Sequence, residues 1–286
     1  MNDALIDRLD ALLTRVERLL PPGVPEPDWT GAIAWRWRRR NGRGHLEPVR
    51  HPHNLHLAQL RNIDRQKSLL VANTRQFVEG RPANNALLWG SRGTGKSSLV
   101  KALLTDYADR GLRLVEVDKD DLIDLPDIVD ALWGRQERFL VFTDDLSFEA
   151  GDGSYKALKA MLDGSVSAAP DNVLIYATSN RRHLLPEFMT DNDDSRNVDG
   201  EIHHGEAVEE KISLSERFGL WVSFHPFDQE AYLDIVRHWL STLQADLSDP
   251  TAIRSEALRY ALTRGSRSGR VAWQFARDWA GRHPGS

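Results

Sequence analysis

Apolar positions fall into two kinds of stretch along this chain. Short, nearly continuous apolar runs occur at Ala86–Trp89, Leu112–Val117, Phe139–Thr143, Asn172–Thr178 and Trp221–Phe224. Their length and lack of alternation predict strands covered on both faces. Between them, apolar residues recur three or four positions apart: Leu69, Leu70 and Phe77 within 65–79, then 98–104 and Tyr155–Leu162. Those spacings predict helices. Strands alternating with helices predict an open parallel α/β sheet.

Beyond Pro226 only helical spacing is left, over Asp228–Leu243, Thr251–Thr263 and Arg270–Ala280. Asp228 suits an N-cap and Pro250 a first turn. The division predicted is an α/β domain over 57–226 and a small helical lid over 227–286. Ahead of both lies a segment over 1–56. Its apolar stripe Leu5, Ile6, Leu9, Leu12, Leu13, Val16, Leu19 and Leu20 predicts a helix, docked on its own core or against another subunit. The run from Pro21 to Pro27 stops that helix and makes a stiff linker. Ala32–Arg38 predicts a strand, Asn41-Gly42 a turn and Leu46–Val49 a return strand. Residues 187–212 are polar and long for a connection inside a compact core.

The chain has 286 residues and no cysteine, which excludes disulfides, thiolate metal sites and a cysteine nucleophile. No apolar run is long enough to span a membrane. Asp3 and Asp7 precede any basic residue, so no secretory signal is read at the N-terminus. A cytoplasmic protein without membrane contact is expected. The net charge of −5 does not imply nucleic acid globally. One local exception is the run Arg36, Arg38, Arg39, Arg40 and Arg43, interleaved with Trp29, Trp35 and Trp37. It suits a solvated strand whose tryptophans face the core, and alternatively phosphate contact with base stacking. The acidic stretch Asp118, Asp120, Asp121, Asp124 and Asp127 suits a basic partner or a solvated loop. His45, His51, His53 and His56 match no common zinc spacing.

The strongest chemical signal is Gly90-Ser91-Arg92-Gly93-Thr94-Gly95-Lys96-Ser97 between an apolar strand and the helix opening at Ser98. This is a P-loop in its required context. Its glycines let backbone N–H groups approach phosphates, and the helix N-terminus adds partial positive charge. Lys96 reaches the β- and γ-phosphates, and Ser97 holds Mg²⁺. Arg92, Gly93, Thr94, Gly95 and Ser98 complete the cradle. The third strand ends at Asp144-Asp145, which assigns Asp144 to Mg²⁺ and Asp145 to the attacking water, with Glu149 a weaker base. Asn180, at the next strand end, suits the water or the γ-phosphate. Ile63 and Gln66 enter just before the P-loop strand and are placed to touch adenine.

Together these residues resemble the AAA+ ATPases from about Leu57 to Ala280. Gly90, Gly95, Lys96 and Ser97 match Walker A, Asp144 and Asp145 Walker B, and Asn180 sensor 1. Arg217, in Ser-Glu-Arg-Phe, is similar to the arginine finger that reaches a neighbouring subunit's nucleotide. Arg270, in Ser-Gly-Arg, is similar to the sensor 2 arginine of the lid. Ala86–Gly90, Val117–Leu122 and Phe148-Glu149 resemble an uncharacterised bacterial AAA+ family, the domain of unknown function numbered 815. The resemblance implies a P-loop NTPase three-layer sandwich with a C-terminal helical lid, ATP and Mg²⁺ as cofactors, and a homo-oligomer. Lys96, Asp145, Asn180, Arg217 and Arg270 would be catalytic. The second Walker B carboxylate is usually Glu, so Asp145 implies slow turnover. The segment after the second strand lacks an aromatic-hydrophobic-Gly pore loop, which argues against polypeptide threading. The expected protein is an ATP-hydrolysing switch or remodeller acting on an unknown protein client. The alternatives are a nucleic-acid loader or initiator, binding through Arg36, Arg38, Arg39 and Arg40, and a nucleotide-dependent scaffold without catalysis.

Overall fold

The computed structural model describes residues 8, 27–40, 42–148, 152–163, 170–182, 184, 196–198, 201–203 and 214–285. Most of the helix expected over 3–20, the linker after it, Asn41, Glu149, His204 and most of 187–212 lie outside the described residues.

The sheet strands are β1 (Ala34–Arg40), β2 (Arg43–Pro48), β3 (Ala86–Gly90), β4 (Leu112–Glu116), β5 (Arg138–Thr143), β6 (Val173–Ser179) and β9 (Leu220–Phe224). A separate antiparallel pair, β7 (Arg196–Val198) and β8 (Glu201–His203), falls within the polar connection. Between the strands run α1 (Asp64–Val78), α2 (Lys96–Tyr107), α3 (Leu125–Leu132) and α4 (Gly153–Asp163). The order across the sheet is β2-β1-β4-β5-β6-β3-β9, parallel except for the β1–β2 pair. All five strands expected from the continuous apolar runs are present.

Alternation along each strand sorts its side chains into two cores. Leu87, Val115, Phe139, Val141, Ile175 and Ala177 meet α3 and α4 on one face. Ala86, Leu88, Leu140, Phe142, Leu174 and Tyr176 meet α1 and α2 on the other. Helices on both faces are what a parallel sheet requires, because each crossover must cover apolar surface. Within the second core, Asn73 and Thr74 of α1 each hydrogen-bond the buried Tyr176 hydroxyl at 2.9 Å. Burial pushes that phenol up to about 12, so it stays neutral. This triad docks α1 on the sheet and thereby fixes the segment leading to the P-loop.

The three helices α5 (Gln229–Thr242), α6 (Pro250–Thr263) and α7 (Gly269–Arg282) enclose a third core of their own. Asp228 caps α5 by accepting from the Ala231 N–H at 2.8 Å. Asp249 caps α6 from ahead of Pro250, accepting from Thr251 and Ala252. Among the described residues no helix is long and apolar enough to cross a membrane.

The Arg/Trp segment corrects one expectation. Its strand and return strand form the hairpin β1–β2, and β1 pairs with β4, so the sheet continues across the 56/57 boundary. Trp29, Trp35 and Trp37 are 7%, 0% and 5% exposed, in the core, and cannot stack on bases. The parallel register sets Arg36 beside Glu116, and the guanidinium donates to that carboxylate at 2.8 and 2.6 Å. That bond holds Arg36 above its ordinary pKa. Arg38 pairs with Asp118 at 2.9 Å, and Arg39 reaches both oxygens of Asp124 at 2.9 Å. Arg40 is exposed at the strand end. Two residues of the acidic stretch, Asp118 and Asp124, are thus counter-charges of the basic one.

Asp124 also accepts from the buried Trp37 indole N–H at 3.0 Å. Asp124→Ala would orphan that donor and leave Arg39 unpaired, a combination worth about 2–3 kcal/mol. A melting temperature lowered by several degrees is expected, whereas an unchanged melt would show the pair to be decorative.

Candidate active site

The β3–α2 junction is built by local backbone demands. Gly90, Gly93 and Gly95 have φ of +127°, +74° and +100°, in the left-handed region that glycine reaches without strain. At Gly90 there is also no room, since a Cβ would lie 2.0 Å from the Phe224 carbonyl oxygen on β9. Gly95 immediately precedes the first turn of α2. The Thr94 hydroxyl donates to the Ser91 carbonyl at 2.7 Å and fastens the loop to itself.

A cavity of about 960 Å³ opens over this loop. Arg92, Gly93, Thr94, Gly95, Lys96, Ser97 and Ser98 line it, with Asp144, Asp145, Thr178 and Asn180 from the ends of β5 and β6. Arg270 and Gly269 enter from the lid, and Ile63 from ahead of α1. Five basic side chains (Arg61, Arg92, Lys96, Lys101, Arg270) face two carboxylates, a balance that suits a polyanion. The lid is joined to the loop directly: the Gly269 N–H donates to the Gly93 carbonyl at 2.8 Å.

Lys96 is 6% exposed. Its ammonium donates to the Gly90 carbonyl at 2.7 Å, the Ser91 carbonyl at 2.8 Å and Asn180 Oδ1 at 3.2 Å. Burial lowers its pKa, against the nearby charges of Asp144 and Asp145, which raise it. The Ser97 hydroxyl donates to Asp144 Oδ1 at 2.5 Å, and Thr178 donates to the same oxygen. Asp145 has φ +55°, uncommon for a non-glycine residue. Its N–H donates to Thr178 Oγ1 at 2.9 Å, its Oδ1 accepts from Asn180, and Arg92 approaches its Oδ2 at 3.4 Å. The two strand ends thus tie Lys96, Asn180 and Asp145 into one chain of contacts.

Ser97 and Asp144 test whether the residues fit Mg²⁺. Among the described residues no three His, Cys, Asp or Glu side chains group as a metal site. One hydroxyl beside one carboxylate is the partial oxygen set that Mg²⁺ takes when phosphates complete its shell.

The expected site residues therefore meet, with three exceptions. Gly90 lies beneath the loop as its packing point. Gln66 donates to the Ser223 carbonyl at 2.9 Å and lines a smaller adjoining cavity instead of this one. Arg217 does not line this cavity and pairs instead with Asp163 at the end of α4. Thr178 escaped the sequence reading, since a threonine inside a buried strand carries no signal of its own. Its role comes from β5–β6 pairing, which aligns Thr143 with Ala177.

A parallel sheet ordered around a P-loop strand, with a helical lid closing over it, defines an AAA+-type P-loop NTPase fold. The chain belongs to the family described as Protein of unknown function (DUF815), which matches residues 30–283. Among solved structures it is similar to the Holliday junction branch migration motor RuvB of Thermotoga maritima, at 15% identity and TM-score 0.53, covering 81% of this chain and 66% of that one. A point mutant of the same RuvB gives 15% identity and TM-score 0.54, over 79% of this chain and 66% of that one. This chain therefore spans slightly under two thirds of those structures. At such identity the likeness is one of fold. No curated protein matches the chain.

Proposed function

We propose that the chain binds Mg-ATP between sheet and lid and hydrolyses it, as an oligomeric switch. What carries this is the convergence of Lys96, the Ser97–Asp144 pair, Asn180–Asp145 and Arg270 on one cavity. Backbone N–H groups of 93–98 and the Lys96 ammonium would hold the phosphates. Ser97 and Asp144 would hold Mg²⁺, which neutralises charge on the transferring phosphoryl group. Asp145 would accept the proton of the attacking water, with Asn180 orienting both. Arg270 would offset γ-phosphate charge from the lid. Mass measurement with and without ATP, with phosphate release on the same samples, tests this. Tight binding without release would favour the scaffold reading instead.

Arg217 would act on the neighbouring subunit's nucleotide, released from Asp163. Arg217→Ala is expected to cut phosphate release by the assembled protein about a thousandfold, with ATP affinity nearly unchanged. Normal turnover of this variant as a dilute monomer would remove the assignment.

For the client, we read nucleic acid ahead of a protein partner, because a solved structure of similar fold is that of a Holliday junction branch migration motor. Arg36, Arg38 and Arg39 are occupied by carboxylates, so their charge is not the surface to expect. A gel shift with duplex DNA and ATP across a salt series decides this. A shift that fades with salt supports nucleic acid; no shift at low salt returns the client to a protein.

A further inference from the structure

We propose that Trp239 and Trp273 form a stacking platform for the nucleotide base and make the site prefer purines. This rests on the nucleotide reading above and adds to it the means of base recognition.

The cavity lining is of two chemical kinds. The P-loop and the ends of β5 and β6 supply polar and charged groups, and Leu55, Ile63, Ile235, Trp239 and Trp273 supply apolar ones. Trp239 stands on α5 and Trp273 on α7, with ring centroids 4.7 Å apart and planes at 64°. Two rings at that angle make a corner. A flat base laid against one ring meets the other edge-on, the two arrangements aromatic groups favour. Both indoles are only half-buried. Trp29, Trp35, Trp37 and Trp279 are instead buried in the cores. Trp273 is not among the lid's core residues and packs on Trp239 at the rim of that core. Arg277 stands over one face of the Trp273 ring, 5.9 Å from its centroid.

Stacking scales with the overlap of flat surfaces, so a two-ring base gains more than a one-ring base. The Thr242 hydroxyl in the lining already donates to the His238 carbonyl at 2.9 Å, so it is a weak reader of base edges. Because both indoles belong to the lid and the phosphate loop to the sheet domain, a stacked base fastens one to the other.

The test is calorimetric titration of the full chain with Mg-ATP, Mg-UTP and inorganic tripolyphosphate with Mg²⁺, for the wild type, Trp239→Leu and Trp273→Leu. The wild type should bind ATP more tightly than UTP. Each variant should lose about tenfold in ATP affinity while tripolyphosphate affinity stays the same. Tryptophan emission of the wild type should be quenched by ATP and not by tripolyphosphate, which needs no variant to fold. Unchanged ATP affinity in both variants, or no quench, overturns the proposal. So does an equal loss of ATP and tripolyphosphate, which would make the indoles structural. A wild type that binds neither ligand overturns the phosphate-loop reading, and the platform with it.

Discussion

Lys96→Ala should raise the dissociation constant for Mg-ATP by at least about a hundredfold. The ammonium is buried, donates three hydrogen bonds, and is the most deeply placed cation of the loop. Each charge-assisted bond to phosphate is worth about 1.5–3 kcal/mol, and two such bonds give the hundredfold. The ammonium also holds the Gly90 and Ser91 carbonyls of the loop, so a melting curve run beside the titration separates lost phosphate contact from a loosened loop. A second consequence concerns pH. Burial holds the Lys96 pKa below its ordinary value, whereas a bound triphosphate would favour the charged form and raise it. Binding would then take up a proton once pH exceeds the lowered value, and affinity should fall as pH rises through it. Lys96→Ala should abolish that dependence. Titration at several alkaline pH values checks both, and an ATP affinity unaltered by the substitution would remove Lys96 from the phosphates.

Asp145→Asn should stop phosphate release, by about a thousandfold, while ATP binding changes less than about threefold. The amide keeps the size of the carboxylate and the contact with Asn180, but it cannot accept a proton from water. Asp144→Asn should behave differently. It removes charge beside Ser97, so it should weaken the Mg²⁺ dependence of binding as well as turnover. A single-turnover assay with a magnesium titration separates the two. Equal effects of both substitutions on magnesium affinity would contradict the division of labour between the adjacent carboxylates. The backbone supports that division: at φ +55° the chain turns sharply at Asp145, sending Asp144 toward Ser97 and Asp145 toward Asn180.

How much of this was legible beforehand differs from element to element. The central strands were legible because a strand covered on both faces must be apolar throughout, whatever covers it. The P-loop was legible because its demands are local: glycines where φ is positive, and a lysine and hydroxyl in the first turn of the helix that follows. The Arg/Trp segment was not. Alternating arginine and tryptophan is compatible with a nucleic-acid surface as well as with a sheet strand. The choice was made by Glu116, Asp118 and Asp124, about 80 residues away in sequence and beside β1 only once β4 pairs with it. Gln66 makes a related point: position ahead of a P-loop says which element a residue precedes, not which way its side chain turns.

Sequence alone determined that a phosphate loop exists, that the central strands are parallel, and that carboxylates end the third of them. These properties depend on backbone conformation and apolar period within a few neighbouring residues. Tertiary structure decided which charges cancel, that Thr178 holds Asp144 and Asp145 together, and that two lid tryptophans line the cavity. Those facts depend on strand order and helix docking, which bring together side chains that no local pattern relates.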